Sequence, residues 1–182
     1  MATAYRIYTD GACLGNPGPG GWAAILLSDG EPQRLAGFVL ETTNNRMELT
    51  AAIKGLERTP PGGAEVVVRS DSEYLVKTMT RGWKRRVNLD LWARLDEQAS
   101  RRTVRWEWVQ GHAGDLWNEE ADRLAQEQMK VAASGAPSAA GVAPTAALPR
   151  KGAAGTAAPR RPEPAYEEDT ALPRLTHIAA AG

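Results

Sequence analysis

Residues 8–25 read YTDGACLGNPGPGGWAAI: an apolar segment carries Asp10, a loop crowded with glycine and proline follows, and a second apolar segment begins. Two readings compete for that loop. As a phosphate cradle it would make the chain a nucleotide-binding protein in which the glycines do the work. As a tight turn it would start an antiparallel strand pair and leave Asp10 as the residue that matters. A Walker-type loop needs a lysine to reach the phosphates and a following hydroxyl for magnesium. The stretch GNPGPGGW (15–22) supplies neither. It also leads into another strand-like run, so no helix N-terminus faces a phosphate. A dinucleotide fingerprint fails for the same reason. The loop is a turn.

Working outward, residues 4–12, 21–27 and 33–40 read as three strands, the last two joined by the hairpin-type loop SDGEP. NNRMELTAAIKGLERT (44–59) places Leu49, Ala52, Ile53 and Leu56 at helical spacing. Asn44 or Asn45 can cap that helix, and TPPGG stops it. AEVVVRSD (64–71) is a continuous β-branched run, as expected of a strand covered on both faces. Ser72 can cap a helix reaching about Met79; residues 89–100 read as helix, 103–109 as strand and 117–130 as a last helix. An early antiparallel meander followed by βα units predicts an α/β fold, a five-stranded mixed sheet with helices on both faces.

Composition divides the chain. Residues 1–131 carry all of this punctuation, whereas 132–182 are rich in alanine, proline and glycine with no apolar period. The first segment, 1–131, is read as the folded domain, the second, 132–182, as a disordered tail. The end of that tail, YEEDTALPRLTHIAAAG, mixes acidic and apolar residues, which leaves a passive tail and a protein-binding segment both open. Formal net charge is zero, so no global field argues for nucleic acid or membrane. Two local basic clusters, Arg81, Lys84, Arg85, Arg86 and Arg101, Arg102, Arg105, read equally as solvated faces or nucleic-acid contacts. The single cysteine, Cys13, excludes an internal disulfide framework and a cysteine-rich zinc site. Nothing at the N-terminus resembles a secretory leader, and no apolar run is long enough to span a bilayer. A monomeric cytoplasmic protein without membrane attachment is expected.

Four acids stand in awkward places. Asp10 and Asp71 end apolar strands, Glu48 lies in the first turns of its helix, and Asp122 lies one turn into the last helix. Each has an innocent explanation as a cap or as a partner of a helix dipole. Asp10 and Asp71 together are harder to dismiss. If their strands are neighbours, two like charges near 4 Å repel by about 4 kcal/mol at an effective dielectric of 20. Such a pair persists only if one member is protonated or a cation is present. Carboxylate oxygens select magnesium or manganese over zinc, and a cluster of four would balance two divalent ions. Two such ions are the means of phosphodiester hydrolysis in two-metal nucleases.

Five segments taken in order, YTDGACLGNPGPGGW, TTNNRMELTAAI, SDSEYL, NLDLW and WEWVQGHAGDLWNEEADRLA, together resemble bacterial ribonuclease H of type 1 over nearly all of residues 4–130. The resemblance implies a ribonuclease H-like fold and an endonuclease that cuts the RNA strand of RNA–DNA hybrids with two Mg²⁺ ions, Mn²⁺ being a possible substitute, leaving 5′-phosphate and 3′-hydroxyl ends. It implies that Asp10 bridges both metals, that Glu48 and Asp71 hold the leaving-group metal, and that Asp122 holds the metal of the attacking water. His112 matches the family's mobile histidine, which assists proton transfer or product release. Asn16, Asn44 and Asn45 match minor-groove and 2′-hydroxyl contacts, Thr43 and Asn88 match a DNA-phosphate pocket, and Trp83 matches a ring stacking near the DNA strand.

Three departures from the family pattern bear on affinity. Glu73 stands where glutamine is common, Glu41 where arginine is often found, and the stretch between Tyr74 and Trp92 is too short for the basic protrusion many bacterial members carry. Weaker hybrid affinity with steep salt dependence is therefore expected. The rival readings are a related-fold nuclease acting on another nucleic acid and a non-catalytic hybrid-binding module. The first would not need the asparagines together with GHAG. The second would have lost an acid, and all four are present.

Overall fold

A computed structural model describes residues 4–111 and 114–135. His112 and the tail beyond residue 135 lie outside the described residues. The elements run β1 (Ala4–Cys13), β2 (Gly18–Leu27), β3 (Gln33–Thr42), α1 (Asn44–Glu57), β4 (Glu65–Ser70), α2 (Glu73–Arg81), α3 (Leu89–Ser100), β5 (Thr103–Trp108) and α4 (Leu116–Ala133). The five strands form one sheet in the order β3-β2-β1-β4-β5. β1, β2 and β3 pair antiparallel, and β4 runs parallel to both β1 and β5. The sheet is mixed, as the sequence predicts.

Alternation along the strands fills two cores. Ile7, Ala24, Leu26, Val66 and Val68 pack under α1, α2 and α3, with Leu49, Ile53, Leu75, Trp92 and Leu95 closing that layer. Tyr8, Ala23 and Ile25 face the other way and meet Ala121, Leu124 and Ala125 of α4. Helices therefore lie on both faces, and among the described residues none is long and apolar enough to cross a membrane.

Three local expectations need correction. The cap of α1 is Thr43, whose hydroxyl accepts from the Arg46 N–H; Asn44 and Asn45 are already helical. Strand β2 begins at Gly18 and not at residue 21, and β1 runs one residue past its expected end to Cys13, the two pairing across Ala12↔Gly21 and Cys13↔Gly20. Glycine disfavours a strand locally, and cross-strand pairing overrides that preference. Strand β4 is fully covered on one face only. Val66, Val68 and Ser70 are buried, but Val67 and Arg69 are half-buried, since α4 lies over β1, β2 and β3. On the more open side Arg69 reaches Glu107 at 2.8 Å and donates to the Tyr8 hydroxyl at 3.0 Å. A run of valines cannot report whether a helix lies above it.

Candidate active site

The sheet brings two of the acids together by register alone. β1 and β4 pair in parallel up to Thr9↔Ser70, so the next residue of each chain is an aspartate, Asp10 beside Asp71. Parallel neighbours lie about 4.8 Å apart. Glu48 arrives from above on α1, and Gly11 sets how close that helix comes. A Cβ at residue 11 would lie 2.5 Å from the Glu48 nitrogen and 2.8 Å from the Met47 carbonyl carbon. Bare backbone at Gly11 thus lets the N-terminal end of α1 rest on β1.

Ligand atoms of Asp10, Glu48 and Asp71 all lie within 4.8 Å of one another. Asp10 and Glu48 are 1% and 3% exposed, and Asp71 is half-buried. Asp10 accepts a hydrogen bond from the Gly11 N–H at 2.8 Å. Three buried or half-buried carboxylates at this spacing repel one another unless protons or a cation intervene. Their all-oxygen donor set fits a hard divalent cation. The fourth acid, Asp122, comes from the second turn of α4 and accepts from the Gln126 amide at 3.0 and 2.8 Å.

Of the expected substrate residues, Asn16, Thr43, Asn44, Asn45 and Asn88 gather around the start of α1. Asn16, in the β1–β2 loop, accepts the Asn44 N–H at 3.3 Å. Asn44 and Asn45 begin the helix that Thr43 caps. Asn88 caps α3 in the left-handed region, with φ 56. Its side chain accepts from Arg46 at 3.3 Å and donates to the Tyr74 hydroxyl at 3.4 Å. Arg46 is the functional neighbour that sequence reasoning passed over. It joins Thr43 to Asn88 and grips Asp90 with two hydrogen bonds, at 3.0 and 2.7 Å. Its signal was present, since an arginine in a helix's first turn opposes the dipole and needs a partner elsewhere.

The two basic clusters part company. Trp83 is 38% exposed, with the Lys77 ammonium 5.5 Å from its ring centre. Among the described residues the chain passes from Arg81 to Leu89 with no further helix, so the protrusion is as short as the sequence indicates. Arg85 in that stretch is committed to the fold: it lies 4.5 Å over the Trp92 ring and pairs with Asp96. The second cluster is structural. Arg101 pairs with Glu97 and Arg105 with Glu107. Arg102 donates to the Thr59 carbonyl at 2.6 Å and to the Gln98 carbonyl at 2.7 Å. It precedes β5, at the opposite end of the parallel strands from Asp71. Glu73 is paired with Lys77 at 2.6 Å, and Glu41 is exposed.

A mixed sheet whose central parallel strands deliver clustered carboxylates beneath an amide-lined helix N-terminus is the architecture of a ribonuclease H-type nuclease. Comparison with known proteins gives the same answer. The RNase H family model matches residues 2–130. A ribonuclease H of Pseudomonas syringae pv. syringae is 49% identical over 138 residues, covering 69% of this chain and 91% of its own. One of Granulibacter bethesdensis is 53% identical over 134 residues, 66% of this chain and 88% of its own. Among solved structures, the N-terminal RNase H domain of a Mycobacterium tuberculosis protein superposes with a TM-score of 0.65 at 30% identity, covering 75% of this chain and 100% of that one. LC11-RNase H1, solved in complex with an RNA/DNA hybrid, gives 0.60 at 27% identity, covering 71% and 99%. The chain belongs to the RNase H family, in its bacterial ribonuclease HI branch, and is a hydrolase of nuclease type.

Proposed function

We propose that the chain is an endoribonuclease that hydrolyses the RNA strand of RNA–DNA hybrids, leaving 5′-phosphate and 3′-hydroxyl ends. The observation that carries this reading is the convergence of Asp10, Glu48 and Asp71 within 4.8 Å at the helix end that also presents Asn44 and Asn45. Two Mg²⁺ ions, or Mn²⁺ in their place, would supply a nucleophile at neutral pH and stabilise the leaving oxygen. Asp10, Glu48, Asp71 and Asp122 would hold these ions, and the family resemblance assigns Asp10 to both. By the same resemblance Glu48 and Asp71 would serve the leaving-group side and Asp122 the side of the attacking water.

Asn16, Asn44 and Asn45 read the RNA strand. A 2′-hydroxyl is both donor and acceptor and separates RNA from DNA, and an amide offers the complement of either role. Thr43 and Asn88, bridged by Arg46, hold a phosphate of the DNA strand, with Trp83 stacking nearby. His112 serves proton transfer or product release. Residues 1–131 form the catalytic domain, and 132–182 a tail outside the family resemblance, either passive or a segment for a protein partner. The protein acts as a cytoplasmic monomer.

The test is a parallel incubation of labelled RNA–DNA hybrid, duplex RNA and duplex DNA with Mg²⁺. Cleavage confined to the RNA of the hybrid is expected, with loss of more than about a hundredfold in Asp71→Asn. An Asp71→Asn protein that cuts as well as the parent would sink the proposed site.

A further inference from the structure

Asp71 is held differently from the two acids beside it. Asp10 sits inside β1 and Glu48 inside α1, whereas Asp71 follows the last residue of β4 and is only half-buried. The chain leaving β5 passes directly against it. The Val109 N–H donates to the Ser70 carbonyl at 3.0 Å, extending the strand register by one bond. The Trp108 indole N–H donates to the Asp71 carbonyl at 3.1 Å. Gly111 comes so close that a Cβ there would lie 2.6 Å from Asp71 Oδ2. The Trp108 side chain is 48% exposed, so burial of its ring is a poor account of its position.

We infer that Trp108 and Gly111 are positioning residues for Asp71. The indole fixes the peptide plane that follows the aspartate. The bare backbone at 111 leaves the space in which the carboxylate points toward Asp10 and Glu48. Groups that orient a ligand carboxylate tune metal affinity through it. This inference rests on the reading of Asp71 as a metal-holding residue. Trp108→Phe keeps the ring and deletes only the donor. Gly111→Ala keeps the backbone and drives a methyl into Oδ2, so the carboxylate must turn away.

Both variants are made in the full chain and compared with the parent and with Asp71→Asn. Two readouts are recorded: the Mg²⁺ concentration giving half-maximal hybrid cleavage, and the rise in Tm produced by Mn²⁺ without substrate. A roughly tenfold higher Mg²⁺ midpoint is expected in each variant, with a smaller Mn²⁺-induced rise in Tm, little change in the metal-free Tm of Trp108→Phe, and cleavage restored at high Mg²⁺. A fall in metal-free Tm with the metal midpoint unmoved would make both residues merely structural and overturn the inference. Metal response lost in Asp71→Asn but intact in both Trp108→Phe and Gly111→Ala overturns the positioning role alone. An intact response in Asp71→Asn overturns the metal role of Asp71 and the positioning role with it.

Discussion

A methyl group at residue 11 has nowhere to go. It would meet the backbone of α1 at Met47 and Glu48, which cannot swing aside as a side-chain end can. Gly11→Ala is therefore expected to push the helix off β1, at a cost of about 1–3 kcal/mol. Because the displaced atoms include the Glu48 backbone, cleavage should fall by more than the stability loss accounts for. Denaturant unfolding and cleavage at saturating Mg²⁺, measured on the same preparation, check both parts; a variant destabilised yet fully active would show that α1 can move without moving the site. The residue scale also shows what the chain announces and what it conceals. Asp10 and Asp71 were legible because an acid closing an apolar run is conspicuous. The cap of α1 was not, because TTNN offers several capping side chains in succession and only the fold selects Thr43.

At the scale of elements, α1 and α3 are tied by Arg46 and Asp90. The hydrogen bonds from Arg46 hold the Asp90 carboxyl down from 3.8 to about 2. The sign follows from the folded form binding its proton less readily than the unfolded chain. The stabilisation is complete above 3.8, and it disappears as pH falls through about 2. Asp90→Asn should thus be less stable than the parent by a constant margin near neutral pH, with the margin closing in strong acid. Thermal unfolding of both proteins across that range reads it, and a margin that did not close would assign the Arg46 contact no linked proton. Elements also mark the limits of sequence reading. Helix 89–100 was legible to the residue, since its leucines keep helical spacing. The onset of β2 among glycines was not, nor was the one-sided cover of β4, because both depend on what lies across the sheet.

At the scale of the whole molecule, zero net charge conceals a division of labour. Arg101 and Arg102 before β5, and Arg105 within it, are spent on Glu97, Thr59, Gln98 and Glu107. Arg81, Lys84 and Arg86, in the stretch of chain around Trp83, are the proposed grip on the hybrid. If these three neutralise three phosphates, hybrid affinity should fall with salt at a log–log slope of about −3. Exchanging the three for glutamine should flatten that slope, and exchanging Arg101 and Arg105 should leave it alone. Binding isotherms recorded without divalent metal over about 50–200 mM salt decide the matter; a slope near zero in the parent would remove the basic remnant as the grip. The division was half legible in the sequence, where both clusters looked alike: Glu97 and Glu107 stand close by for Arg101 and Arg105, but the Thr59 seat of Arg102 lies at a position that only the fold brings near.

The pairing of β1 with β4 has a further consequence, one of timing. Asp10 and Glu48 belong to the first strands and helix to be synthesised, but Asp71 reaches them only when β4 has docked in parallel beside β1, and its seat at Trp108 and Gly111 is completed later still. A growing or partly unfolded chain that holds the early meander alone carries two of the acids and not the third. The carboxylate centre therefore comes into being with the sheet itself, and a half-made copy of this nuclease is a chain without a blade.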